Sequence, residues 1–141
     1  MLFHNDVIGS SRLLNRVCTR KRYSMQYISV VIGGAFGAIS RYQLGKMIAE
    51  RSRSSIPLGT MGVNILGALC LGYFSNIGLS HQAYALIGDG FFGAFTTFSS
   101  FMYEGFKLFE EDDKRNAITY ILITLVIGLV GYHIGSIIAR G

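Results

Sequence analysis

What the chain has little of narrows it first. It contains one proline, two cysteines and eight acidic residues in 141, and only 15% of its residues are charged while half are hydrophobic. It is too apolar and too short for a soluble multi-domain protein, and the natural reading is one membrane domain. Cys18 lies in a polar leader and Cys70 inside an apolar run. Thiols so placed support neither a disulfide framework nor a metal motif, and Cys70 reads as a small packing residue. No carboxylate pair, histidine pair or nucleophile-base pair occurs within the apolar runs, so hydrolase chemistry has no candidates. His133 is isolated and reads as packing, and no repeat of 20 to 50 residues is visible.

Four stretches carry almost no charge: Ile28 to Leu44, Ile56 to Ile77, Ala83 to Phe106 and Ala117 to Ala139. Each is near the roughly 20 residues that a helix needs to cross hydrocarbon. Four spans leave both termini on one side of the membrane. The last run, interrupted only by His133, argues against a compact soluble core. The net charge of +5 does not point to nucleic acid, because the basic residues fall in short clusters flanking the spans. They read as topology signals.

Residues 1–24 carry Arg12, Arg16, Arg20, Lys21 and Arg22 against a single acid, Asp6, and lack the apolar core of a secretory signal. This leader is either a basic arm on a membrane surface or the product of an upstream start codon. The second is favoured, since the first apolar run begins just after Met25, and residues 25–141 then form a single four-span membrane domain. The distinction matters for orientation. The first and third loops carry six Lys and Arg, whereas the opposite face carries six with the leader and one, Arg140, without it. A chain starting at Met25 is expected to keep its loops in the cytoplasm.

Within the spans, small residues recur at four-residue spacing: Gly33 with Gly37, Gly34 with Ala38, Ala68 with Gly72, Gly131 with Gly135. Such pairs let helix backbones approach closely, and so small a bundle is expected to oligomerise. Arg41 closes the first span, either snorkelling to the interface or pairing inside the bundle. Asn64 shares a helical face with Thr60 and is either interhelical glue or a functional polar group, since a buried amide must find partners wherever it sits. Tyr120 and Thr124 share a face of the fourth span. Separately they are an interfacial anchor and a hydroxyl bonded to its own backbone; together they form a polar track.

The third span is the most specific. Gly88 to Phe101, GDGFFGAFTTFSSF, packs three glycines, four hydroxyl residues and five phenylalanines into one stretch. Gly93 and the Thr96-Thr97 pair are plausible helix breaks, where freed carbonyls coordinate a cation. Phe98 and Phe101 flank Ser99 and Ser100; they are either an aromatic packing stripe or ring edges that, with hydroxyl donors, solvate a small anion. Asp89 and Glu104 flank this span, and Asp89 has no assigned role.

Three motifs, GGAFGAISRY at Gly33 to Tyr42, PLGTMGVNILGALCLGY at Pro57 to Tyr73 and GFFGAFTTFSSF at Gly90 to Phe101, occur in order in the first three spans. In these the chain resembles the small fluoride channels of the Fluc/CrcB family, from Met25 onward. The resemblance implies an all-α, multi-pass cell-membrane protein of four transmembrane helices with a broken third helix, assembled as an antiparallel dual-topology dimer. It implies two fluoride pathways and a central structural sodium. Carried over by position, Phe98, Phe101 and Asn64 match the family's pore residues, Gly93 and Thr96 match the carbonyl donors to sodium, and Tyr120 and Thr124 fall where the family has a polar track. Ser99 and Ser100 join the pore donors, and Arg41 is expected to be structural. Ala94 stands where the family usually has a second glycine, and Ser100 where it has threonine. The dimer is expected to pair two copies or two paralogues, the latter if a chain starting at Met25 inserts in one orientation only.

Two other classes compete with a fluoride channel. A dual-topology proton-coupled drug exporter needs an acid deep in its first span, and Ile28 to Leu44 holds none. A non-transporting scaffold accounts for the small-residue pairs but gives Asn64, Phe98 and Phe101 no task.

Overall fold

The computed structural model describes residues 3–52 and 54–141, with side chains from residue 24 onward; the basic side chains of the leader lie outside the described residues. The described chain is all-helical. Helix α1 spans Phe3–Arg51 and α2 spans Leu58–Phe74. The third run, α3, starts at His81–Tyr84, widens into a π-helical stretch, Ala85–Phe92, and ends in a last turn, Gly93–Phe95. Helix α4 then covers Phe98–Glu110 and α5 covers Lys114–Arg140. Counting α3 and α4 as one interrupted run, the bundle has four helices.

The helix ends follow local chemistry. Pro57, with no N–H to satisfy and φ already near the helical value, stands immediately before α2. Gly78, at φ +70, turns the chain after α2, and the Ser80 hydroxyl caps α3 by accepting from the Ala83 N–H at 3.3 Å. The turn between α4 and α5 runs through Asp112 at φ +60, a left-handed conformation that costs a non-glycine residue energy. Helix α5, with 27 residues and mean hydropathy 2.2 over its most apolar window, is long and apolar enough to cross a membrane. At 1.5 Å per residue it reaches about 40 Å. Helix α2 is apolar but shorter.

Two close approaches set the packing. Helix α2 lies along α5 so tightly that a Cβ on Gly72 would run into the Tyr132 carbonyl, and one on Gly135 into the Leu69 carbonyl. Helix α1 meets α3 in the same way, with Gly33 against the Leu86 carbonyl and Gly37 against the Phe91 carbonyl. Of the four small-residue pairs in the sequence, one thus fits α1 to α3, and one glycine from each of two others brings α2 onto α5. Two apolar cores result: Phe101, Leu108, Ala117 and Tyr120 between α4 and α5, and Val63, Phe92 and Phe95 between α2 and α3. Outside these contacts α1 and α5 present exposed Val31, Phe36, Leu129 and Ile137, an apolar exterior suited to hydrocarbon or to another subunit.

Candidate functional site

The site grows from the gap between α3 and α4. After Phe95, Thr96 (φ −80, ψ 156) and Thr97 (φ −145, ψ 117) are extended, and the helix resumes at Phe98. The Thr96 N–H still closes a last helical bond, to the Phe92 carbonyl at 3.1 Å, but the Thr97 N–H and C=O fall outside the ladder and need other partners. Asn64, on α2, supplies them. Its Oδ1 accepts from the Thr97 N–H at 2.8 Å, and its Nδ2 donates to the Thr97 carbonyl at 3.0 Å. The side-chain amide thus pairs with the N–H and the C=O of one residue, as a strand neighbour would.

Thr97 does more than its neighbour Thr96. Its Oγ1 caps α4 by accepting from the Ser100 N–H at 3.2 Å and donates to Ser100 Oγ at 3.1 Å. Thr96 Oγ1 folds back onto the Phe92 carbonyl at 3.0 Å. These bonds free two carbonyls. In a continuous helix the Thr97 N–H would serve Gly93 and the Ser100 N–H would serve Thr96, but both donors are engaged elsewhere. Gly93 is exposed, and a Cβ placed there would meet only the Gly88 carbonyl, at 3.9 Å. The two carbonyls assigned to sodium by resemblance are therefore hard oxygen acceptors without their helical donors, chemistry that fits an alkali cation. No group of His, Cys, Asp or Glu able to hold a metal occurs among the described residues.

A second polar cluster lies one turn further along α4. Glu104 accepts from the Thr60 hydroxyl of α2 at 2.8 Å and from the Tyr120 hydroxyl of α5 at 2.9 Å. One carboxylate thereby ties three helices. Tyr120 is fully buried and its ring sits 5.3 Å from that of Phe101, while the Thr124 hydroxyl donates to the Tyr120 carbonyl at 2.6 Å. Tyr120 and Thr124 do share a face, with both hydroxyl protons engaged inside the chain. Glu104 read from sequence as a flanking acid; its signal was a position three residues beyond Phe101, on the inward face of α4.

Two clefts flank the junction. The larger, about 380 Å³, brings together Asn64, Thr96, Thr97, Phe98, Phe101 and Thr124 among its lining. The other, about 310 Å³, is lined by Arg41, Tyr42, Gly45, Thr60, Val63, Thr97 and Ser100, and Arg41 is its only charged residue. Thr97 is the wall they share. Phe98 and Phe101 are neighbours with ring centroids 6.2 Å apart, but Phe98 is 74% exposed and Phe101 3%. Ser99 is exposed, with its hydroxyl 3.4 Å from that of Thr97.

The architecture is that of a small helical bundle whose interrupted helix presents polar backbone between two clefts. The family described as CrcB-like protein, Camphor Resistance (CrcB), matches residues 28–136. The fluoride-specific ion channel FluC 2 of Clostridium acetobutylicum is 46% identical over 116 residues, covering 82% of this chain and 99% of the relative. FluC 1 of Geobacillus kaustophilus is 39% identical over 110 residues (75% and 94%), and FluC 2 of Mycobacterium tuberculosis 36% over 114 (81% and 90%). The chain belongs to the CrcB family and is a membrane protein.

Proposed function

We propose that the protein is a fluoride-selective ion channel that lets fluoride leave the cytoplasm passively and so lowers its toxicity. It is a channel, not an enzyme: similarity to fluoride-specific channels spans nearly the whole length of the relatives. The observation that carries the mechanism is the Asn64–Thr97 pairing, which holds an opened backbone between two clefts in an otherwise apolar bundle.

Fluoride is small and tightly hydrated, so a pore must replace its water with donors. The hydrogens left over by the internal bonds select them. Asn64 Nδ2 has two hydrogens and gives one to Thr97; Ser100 Oγ accepts from Thr97 and keeps its own proton. Tyr120 and Thr124 have committed theirs to Glu104 and to a backbone carbonyl, so they shape the wall and meet an anion only by giving up those bonds. Asn64 and Ser100 are then the ready donors; Ser99 gives its proton to the Thr97 oxygen, whose own proton goes to Ser100, and meets an anion only by giving up that long 3.4 Å bond. Phe98 and Phe101 add positive ring edges. Arg41 gives the smaller cleft a positive mouth that gathers anions, a task beyond the structural one expected of it.

The exposed ring of Phe98 and the exposed position of Gly93 ask for a second subunit. Four transmembrane passes, the gap at Thr96–Thr97 as the family's broken third helix, and an antiparallel dimer of two copies or of two paralogues supply it. Sodium held by the Gly93 and Thr96 carbonyls of both subunits would brace the pair and place fixed positive charge beside the anion paths. The test is fluoride efflux from proteoliposomes with the voltage clamped by a potassium ionophore. The chain is reconstituted alone and with an oppositely oriented family member. Release of fluoride with little chloride is expected. Retention equal to that of protein-free liposomes in both preparations would overturn the reading.

A further inference from the structure

Asp89 is an ionisable group of the third span that none of this chemistry uses. It lies in the π-helical stretch of α3, exposed on the surface of the chain, and makes no ion pair among the described residues. It lines neither cleft. A carboxylate near one end of an apolar span is costly unless it meets a counter-charge or water, and such a residue marks a candidate functional position.

Its place on the helix points to a counter-charge. Gly88, Gly90 and Phe92 are buried against the rest of the chain, whereas Asp89 and Gly93 are both exposed. Four residues apart on one run, they share its exposed side, about one turn from each other. Gly93 also carries the carbonyl whose helical donor Asn64 has taken. The exposed side of this run therefore holds a carboxylate about one turn before the residue with that carbonyl, while the anion donors Asn64 and Ser100 line the clefts.

We propose that Asp89 supplies fixed negative charge to a cation held at Gly93 and Thr96, one carboxylate from each subunit lying a helical turn to either side. This rests on the cation-braced dimer put forward above. Backbone carbonyls contribute dipoles only; a full charge about 10 Å away, at the effective dielectric typical of proteins, strengthens cation binding roughly tenfold. An anion contact has the wrong sign, since a carboxylate repels fluoride.

The experiment uses the full chain, purified and reconstituted, with sodium titrated against N-methylglucamine. Fluoride efflux and thermal unfolding are both followed. Asp89→Asn keeps the shape and removes the charge. It is expected to need roughly tenfold more sodium for half-maximal efflux and for half of the sodium-dependent thermal shift. At saturating sodium its rate and its fluoride-over-chloride preference match the unaltered chain. Asp89→Glu, which keeps the charge, restores most of the sodium affinity, so the role of the charge is decided even where the Asn variant folds poorly. Equal sodium requirements for all three proteins overturn the role of Asp89 and leave the cation site standing. Sodium independence of all three overturns the cation site and this proposal with it, and absence of efflux from the unaltered chain at saturating sodium overturns the channel itself.

Discussion

The amide of Asn64 and the peptide of Thr97 exchange both of their hydrogen bonds, at 2.8 and 3.0 Å, across 33 positions of sequence. A helix that stops inside an apolar bundle leaves polar backbone to be satisfied, and here a single side chain does it. The same bonds direct what is left over: they take the helical donor of the Gly93 carbonyl and leave one Asn64 hydrogen unspent. The break and the groups proposed for cation and anion thus share one residue.

Asn64→Ala should therefore cost more than a lost contact. It strands both the N–H and the C=O of Thr97, and an unsatisfied buried backbone group costs about 1–3 kcal/mol. The variant is expected to show a clearly lower unfolding temperature in detergent and fluoride efflux reduced at least tenfold. Asn64→Asp keeps the acceptor and loses the donor, so its stability should fall between the two. An alanine variant as stable as the unaltered chain would mean that the pairing carries little energy.

How much of this the sequence disclosed can be traced residue by residue. The glycines, hydroxyls and phenylalanines of Gly88 to Phe101 marked where regular helix gives way, because composition reports directly on helix propensity and packing. Gly33, Gly37, Gly72 and Gly135 were legible because a four-residue spacing already implies a face. Partner choice was not. That Thr97 rather than Thr96 meets Asn64, and that Glu104 collects Thr60 and Tyr120, depends on rotations of separate helices, which spacing within one helix does not encode. Phe98 and Phe101 read as one face, yet Phe98 is the first residue of α4 and projects past the bundle edge while Phe101 lies a turn inside.

The Glu104 hub predicts energetic coupling. Tyr120→Phe removes the donor to Oε2 and Thr60→Val the donor to Oε1, and hydrogen bonds to charged groups are worth about 1.5–3 kcal/mol in soluble proteins but closer to about 0.6 between membrane helices. Each substitution should destabilise the bundle by about 1 kcal/mol. The pair should differ from the sum of its members, because both act on one carboxylate. A double-mutant cycle on thermal unfolding checks this, and strict additivity would show the two bonds to be independent.

Glycines divide into those that hold helices together and those that do not. Gly72→Ala and Gly135→Ala would each drive a methyl into a carbonyl of the facing helix and should cost at least about 1–3 kcal/mol, with partial loss of folded protein on size-exclusion chromatography. Gly128→Ala, on the same helix α5, meets nothing within 4 Å and should leave the fold intact. Equal behaviour of Gly128 and Gly135 variants would contradict the close α2–α5 approach.

The two phenylalanines separate stability from conduction. Phe101 is 3% exposed, with its ring 5.3 Å from Tyr120, so Phe101→Ala should lose about 3–5 kcal/mol in the folded chain before any question of transport arises. Phe98 is 74% exposed on the single chain and contributes little to the chain's own core. Phe98→Ile should leave expression unchanged and the stability of the chain within about 0.5 kcal/mol of its parent. The aliphatic side chain has no ring edge to offer an anion. If Phe98 lines the path, fluoride efflux and the fluoride resistance of host cells should both fall sharply in that variant while Phe98→Tyr retains part of them. Unchanged resistance with Phe98→Ile would instead assign the ring to packing against a second subunit, and a fall in unfolding temperature confined to the dimer would reveal that contact.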